Sequence, residues 1–179
     1  LSTIQKIVDA ILYFHHKRIA HELRKVSQRF DRTGASVLEV GAGTKPSRAL
    51  FSRANYVCTD IARYQGVDGL CDVSNMPYRD ASFDLVICNN LLEHLSEPWK
   101  AADEMHRCLK HGGVCFSVVP FLFPLHDVPH DFFRFTEYAL ANLFRNWSSV
   151  DIKKVNLLPC GRINLIGRFV LYYVTVVQK

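Results

Sequence analysis

Two groups of residues in this chain have the types and spacing for chemistry. The first is a carboxylate followed by two glycines one residue apart: Glu39, Gly41 and Gly43, within Val-Leu-Glu-Val-Gly-Ala-Gly-Thr-Lys-Pro at residues 37–46. Glycine there lets the backbone turn tightly and lets a ligand approach the main chain. Asp60 follows Glu39 by 21 residues, at the end of a second apolar run. A carboxylate at that point can accept from both hydroxyls of a ribose. Asp72 closes a third short run and can accept from an adenine amino group while Val73 packs on the ring. As plain loop residues, Asp60 would cap a helix starting at Ile61, and Asp72 would open a turn.

The second group fills residues 120–136, Pro-Phe-Leu-Phe-Pro-Leu-His-Asp-Val-Pro-His-Asp-Phe-Phe-Arg-Phe-Thr. At 17 residues it is longer than ordinary connections, and such loops are more often functional. Five phenylalanines with a few polar groups describe a small-molecule pocket. His130 and His126 are the candidate proton acceptors, since neutral imidazole works near pH 7. Asp131, Arg134 and Phe133 are the candidate substrate contacts, although Asp131 and Arg134 read equally well as an ion pair ordering the loop. His126 and His130 are four apart, a metal-binding spacing on a helix. Pro129 argues against a regular helix, so no metal is expected.

These residues need elements to position them. Apolar residues from Ile4 to Phe30 recur at helical spacing, which predicts one or two amphipathic helices over 3–29. Strands are predicted at 36–40, 55–59, 69–72, 83–88, 114–119 and 150–155. Helices are predicted at 46–53, from Ser96 (as N-cap) to the Gly112-Gly113 stop, and at 137–144 behind Thr136. Trp99, Ala102, Met105 and Leu109 are expected to share one helix face. The alternation implies an α/β fold: a Rossmann-like, doubly wound, mostly parallel sheet with helices on both faces. Ligands in such sheets sit beyond the carboxyl ends of the strands, which here carry residues 39–44, Asp60, Asp72 and Asn89. Residues 169–177 are β-branched and aromatic, favouring a final strand, with an apolar helix docking on a partner or a membrane surface as the alternative. The organisation expected is one domain: a helical segment at 1–33, a cofactor-binding core at 34–155, and a C-terminal strand or helix at 156–179.

The glycine turn also discriminates between cofactors. Pro46 stands where a dinucleotide fingerprint places its third glycine, and Glu39 would repel a pyrophosphate. A carboxylate there suits a cofactor with a cationic amino group, such as S-adenosylmethionine. Asn89 and Asn90 follow the fourth strand, equally suited to capping or to ligand contact. Glu93 and His94 look like an acid/base pair, but neighbours on a helix do not face each other, so structural hydrogen bonding is expected of them.

In their order and spacing, residues 37–44, Tyr-Val-Cys-Thr-Asp (56–60), Cys-Asp-Val (71–73), the run from Phe83 to Leu95 and Leu-Lys-His-Gly-Gly (109–113) resemble the class I S-adenosylmethionine-dependent methyltransferases, in the methyltransferase type 11 group. The resemblance covers residues 36–144. It implies that Glu39, Gly41 and Gly43 cradle the methionine part, that Asp60 binds ribose and that Asp72 binds adenine; Ala42, Thr44, Ile61, Val73 and Asn89 are the further candidates for cofactor contact. It also implies transfer of a methyl group to a small-molecule acceptor. A segment like 126–136 occurs in relatives often linked with sugar, polysaccharide or natural-product pathways. His111 departs from the proline usual there, and the C-terminal hairpin of that fold is not evident. Two rivals remain: a non-catalytic S-adenosylmethionine-binding or regulatory protein, and a nicotinamide-dependent oxidoreductase.

The bulk numbers agree with one soluble domain. Of 179 residues, 49% are hydrophobic and 22% charged, enough to bury a core. The net charge is +5, without one long basic run, so nucleic acid is not the expected partner. Six cysteines form no Cys-x-x-Cys pair and read as buried thiols in a reducing, cytoplasmic setting. No signal peptide is apparent. A start at Leu1 reads as a fragment or a processed chain. Residues 163–177 are too short and too broken for a membrane span, although peripheral contact through the C-terminus stays open.

Overall fold

The computed structural model describes residues 3–156 and 170–179, with the side chains of the first helix described at Tyr13 and from His15 onward. In chain order the elements are α1 (Thr3–Phe30), β1 (Ser36–Val40), a 3-10 turn (Ser47–Leu50), β2 (Asn55–Asp60), β3 (Gly69–Leu70), β4 (Phe83–Asn89), a second 3-10 turn (Leu92–His94), α2 (Pro98–Cys108), β5 (Leu109–Pro120), α3 (Glu137–Leu143), β6 (Ser149–Asn156) and β7 (Val170–Gln178). The strands form one sheet in the order β3-β2-β1-β4-β5-β7-β6. All pairings through β5 are parallel, while β7 runs antiparallel to both β5 and β6.

Period-two alternation divides the core between the sheet faces. Val37, Leu85, Ile87, Val114, Phe116 and Val118 point to one face and meet Ile19, Leu23, Val26 and Phe30 of α1. Leu38, Val40, Val86, Cys88 and Cys115 point to the other and meet Ala101, Met105 and Leu140 of α2 and α3. Helices thus cover both faces, as the alternating pattern predicts.

Several elements differ from expectation. Residues 46–53 form only the 3-10 turn Ser47–Leu50 instead of a helix. Asn55 already begins β2, so few residues remain to build a helix and return, and Glu39 captures the Ser47 N–H at 2.7 Å. The long α1 covers that side of the sheet instead. Helix α2 has Glu97 rather than Ser96 as its N-cap, because Pro98 occupies the first helical position. It ends at Cys108, not at the glycines, because Leu109 pairs with Phe83 and starts β5 early. Its buried face is Pro98, Ala101, Ala102, Met105 and Cys108; Trp99 is exposed and Leu109 lies in the strand. Thr136 caps α3 as expected, its hydroxyl accepting from the Ala139 N–H at 3.1 Å.

The C-terminal residues 170–178 are a strand between β5 and β6, with Tyr172, Val174 and Val177 buried. Residues 170–178 are thus a strand and not the docking helix of the alternative reading. Residues 163–169 of that expectation lie outside the described residues. Among the described residues no helix is long and apolar enough to cross a membrane. Cys58, Cys71, Cys88, Cys108 and Cys115 are buried free thiols; Cys160 lies outside the described residues.

Candidate active site

The turn after β1 uses both glycines in the left-handed region, Gly41 at φ +62° and Gly43 at φ +55°. They are not equivalent. A Cβ on Gly41 would lie 2.8 Å from the Leu91 side chain, whereas one on Gly43 would meet nothing within 4 Å. The Leu91 methyls can turn aside from such a Cβ, so the demand for glycine at 41 rests mainly on its backbone conformation, and Gly43 borders open space. The Asp60 carboxylate ties this turn to the end of β2, with Oδ2 accepting from the Gly43 N–H at 2.9 Å and Oδ1 from the Ala62 N–H at 3.0 Å. No helix follows Asp60, so its bond to Ala62 closes a loop turn. Each carboxylate oxygen has further acceptor capacity.

Glu39 is buried and already partnered. It accepts from the Ser47 N–H and hydroxyl and from the Tyr56 hydroxyl. Burial pushes its pKa up despite these bonds. Ala42 is buried and donates its N–H to the Thr59 carbonyl at 3.1 Å, while Thr44 is exposed. Asp72 is exposed, and its Oδ1 accepts from the Ser74 N–H at 2.8 Å. It lines an open cleft of about 620 Å³ with Ser74, Asn75, His94, Lys100 and His130. Val73 is buried in the core, whereas Ile61 is 75% exposed. Of the two apolar side chains beside the acids, Ile61 is the one free to cover a ring. Asn89, at the end of β4, buries an Oδ1 with no partner among the described residues.

The loop after β5 is non-helical over residues 121–135, as Pro129 predicts. Asp131 and Arg134 form a bidentate pair, Nη1 to Oδ1 at 2.5 Å and Nη2 to Oδ2 at 2.7 Å. Arg134 also donates to the carbonyls of Pro124 at 3.1 Å and Phe133 at 2.8 Å. The guanidinium holds the Asp131 carboxyl well below the usual carboxylate range. Of the two readings of this pair, the structure favours the loop staple. Arg134→Ala is therefore expected to destabilise the protein by about 2–3 kcal/mol, the cost of stranding a charged, hydrogen-bonded Asp131. Denaturant unfolding of the variant beside wild type measures it; equal midpoints would show that the pair does not hold the loop.

The two histidines chosen from the sequence are not brought together. His130 is exposed and lines the cleft that contains Asp72. His126 lines a separate cavity of about 210 Å³ with His16, Asn90, His94, Pro120, Phe123, Asp127 and Tyr172. His94 borders both spaces. Phe133 is half-buried, packed on Phe135 at 5.3 Å between ring centres.

The structural hydrogen bonding expected of Glu93 and His94 is found at His94, whose Nδ1 lies 2.8 Å from the His130 carbonyl. Both residues sit on a three-residue 3-10 turn, not a helix, and His94 Nε2 lies 3.8 Å from Glu93 Oε1. The Glu93 side chain is fully buried, and neither carboxylate oxygen has a hydrogen-bond partner among the described residues. Burial pushes its pKa up to about 8. Its backbone carbonyl accepts from the Phe132 and Phe133 N–H groups, fastening the post-β5 loop to the end of β4. The available signal was the acid–histidine adjacency just past a strand end; the helix rule applied to it does not hold on so short a turn.

The Methyltransferase domain family matches residues 38–117. A ubiquinone/menaquinone biosynthesis C-methyltransferase of Desulfotalea psychrophila is 27% identical over 128 residues, covering 62% of this chain and 51% of that protein. The chain spans about half the length of the curated relatives it matches first. Among solved structures, a SAM-dependent methyltransferase from Archaeoglobus fulgidus superposes with TM-score 0.69 at 13% identity, covering 92% of this chain and 94% of the other. A 1,6-didemethyltoxoflavin-N1-methyltransferase of Burkholderia thailandensis gives TM-score 0.63 at 21% identity, covering 100% and 91%. With the strand order, the glycine turn and the acids at the ends of β1 and β2 already in place, these matches show the class I methyltransferase fold and a sequence similar to the methyltransferase domain over residues 38–117.

Proposed function

We propose that this protein transfers a methyl group from S-adenosylmethionine to a small-molecule acceptor. The observation that carries the reading is the glycine turn held by Asp60 at the carboxyl end of the parallel strands. The residues present fit this cofactor. The open space beside Gly43 admits a ligand close to the backbone, and the buried, unpartnered Oδ1 of Asn89 suits an ammonium donor. Asp60 offers its remaining lone pairs to the ribose hydroxyls. Asp72 borders the cleft suited to the adenine, and the exposed Ile61 follows Asp60. Glu39, held by Ser47 and Tyr56, keeps a negative charge or a shared proton beneath the turn.

When bound, the sulfonium supplies an electrophilic methyl. The chain's own work is to align the acceptor, exclude water and hold a proton. The cavity lined by His94 and His126 lies past the ends of β4 and β5 and is sized for part of a small molecule, which favours such an acceptor over a nucleic acid. His126 is better placed than His130 to meet that acceptor. One similar protein named above is a ubiquinone/menaquinone biosynthesis C-methyltransferase and another a 1,6-didemethyltoxoflavin-N1-methyltransferase, names in keeping with a small-molecule acceptor. A sugar-related or natural-product acceptor is the narrower form of the proposal. Five buried free thiols fit a reducing, cytoplasmic setting.

S-adenosylhomocysteine is expected to raise the melting temperature and NAD to leave it unchanged, since a ligand of the native state stabilises by mass action. Asp60→Ala is expected to weaken that binding by about 1–3 kcal/mol. Calorimetry checks both, and unchanged affinity in the variant would remove Asp60 from the site. Cofactor binding without turnover across a broad acceptor panel would favour the non-catalytic reading.

A further inference from the structure

Glu93, His94 and His126 each present a ligand atom, and the three atoms lie within 4.8 Å of one another. The hydrogen bonds around the two imidazoles fix which nitrogen is free. His94 Nδ1 is 2.8 Å from the His130 carbonyl. A carbonyl only accepts, so Nδ1 carries the proton and Nε2 keeps its lone pair in the neutral ring. That lone pair lies 3.8 Å from Glu93 Oε1 and 3.9 Å from Asp127 Oδ2. His126 repeats the pattern. Its Nδ1 is 3.2 Å from both the Pro124 carbonyl and the Asp131 carboxylate, again two acceptors. Nε2 is then its free nitrogen too.

A lone pair facing carboxylate oxygens is repulsive unless a proton or a cation lies between them. The Glu93 carboxylate, wholly buried with both oxygens unpartnered among the described residues, makes the same demand from the other side. Histidines that bind metals characteristically donate the other ring N–H to a backbone carbonyl or a carboxylate, which fixes tautomer and orientation. His94 does the first, and His126 has both acceptors at hand. Asp131 is in turn held by Arg134, so the loop staple also orients the His126 ring.

We infer that Glu93, His94 and His126 form a binding site for a divalent transition-metal ion of the zinc class, with an open position facing the cavity that also contains Asn90 and Tyr172. Two imidazoles and one carboxylate with a vacant fourth position are a ligand set that zinc accepts. Tetrahedral Zn–N and Zn–O bonds place donors about 3.3 Å apart, so side-chain rotations must draw the three groups closer. The vacant position would take an oxygen-bearing ligand such as a hydroxyl or carboxylate, and a metal-bound hydroxyl ionises more readily. This use by an acceptor rests on the methyltransferase reading; the metal site itself does not. His126 then acts as a ligand rather than as a proton acceptor.

The test is calorimetric titration of the chelator-stripped full chain with Zn²⁺ alone, with Co²⁺ absorption as a second readout. One ion per chain is expected, with tetrahedral Co²⁺ bands. His94→Ala, His126→Ala and the isosteric Glu93→Gln should each weaken binding at least tenfold, while His111→Ala, at an exposed residue in β5, should leave it unchanged. Absence of binding at micromolar ion, or binding indifferent to His94 and His126, would overturn the site. A thermal shift with S-adenosylhomocysteine on the same proteins separates the two readings. A shift without metal binding removes only the metal, and metal binding without a shift removes only the cofactor.

Discussion

Gly41→Val is expected to weaken S-adenosylhomocysteine binding by at least a hundredfold while the sheet remains folded. Two independent effects act at this position. The backbone sits at φ +62°, a genuine outlier for a β-branched residue, at a cost of about 1–3 kcal/mol. The new Cβ would also lie 2.8 Å from the Leu91 side chain. The Leu91 methyls can turn aside, so it is relief of the backbone strain that moves the turn presenting the Gly43 N–H to Asp60. Binding calorimetry with far-UV circular dichroism checks the result. Normal affinity in a folded variant would mean that the turn plays no part in holding the cofactor.

The second large effect belongs to Glu93 and is read as stability against pH. Its folded pKa is raised to about 8, while an unfolded glutamate titrates near 4.3. Between those values the native state keeps a proton that the unfolded chain has released. Stability from this group is thus fully present below about pH 4.3. It falls as pH rises and levels off above about pH 8. At about 1.4 kcal/mol per unit, the span amounts to about 3–5 kcal/mol. Glu93→Gln removes the titration without changing the shape of the side chain. With metal chelated, the variant should gain that much on wild type between pH 5 and pH 8.5 in denaturant unfolding. Other titrating groups cancel in the comparison. A constant difference would show that Glu93 is already ionised in the native protein and that water reaches it.

The parts of the fold legible in the sequence were those in which local pattern and tertiary packing agree. The strand at 36–40 has one apolar set for each face and stands at the middle of the sheet, so its bounds match residue for residue. Thr136 caps α3 because the hydroxyl acts locally. The pattern fails where a distant partner decides. Leu109 continues the helical period of α2, yet Phe83 draws it into β5. Residues 46–53 read as helix, yet they must return to β2 at once, and α1 already covers that face.

The site divides in the same way. The turn, Asp60 and Asp72 lie at strand ends, where topology alone predicts them. The contacts among Glu93, His94, His126 and Asp131 join a turn after β4 to a loop after β5, and no local spacing reports them. Arg134 showed its charge but not its direction; only the fold reveals that it faces Asp131 and the carbonyls of Phe123, Pro124 and Phe133.

The position of β7 between β5 and β6 sets a timetable for synthesis. β6 leaves the ribosome before β7, the strand it pairs with among the described residues, and β5 carries an unpaired, largely apolar edge until residues 170–178 emerge. At about 5–20 residues per second, that interval lasts seconds. During it the nascent chain offers β5 to any extended segment nearby, the kind of open edge that invites wrong pairing. The glycine turn and its acids, all N-terminal to β5, can be in place while the far side of the sheet still waits for its key strand.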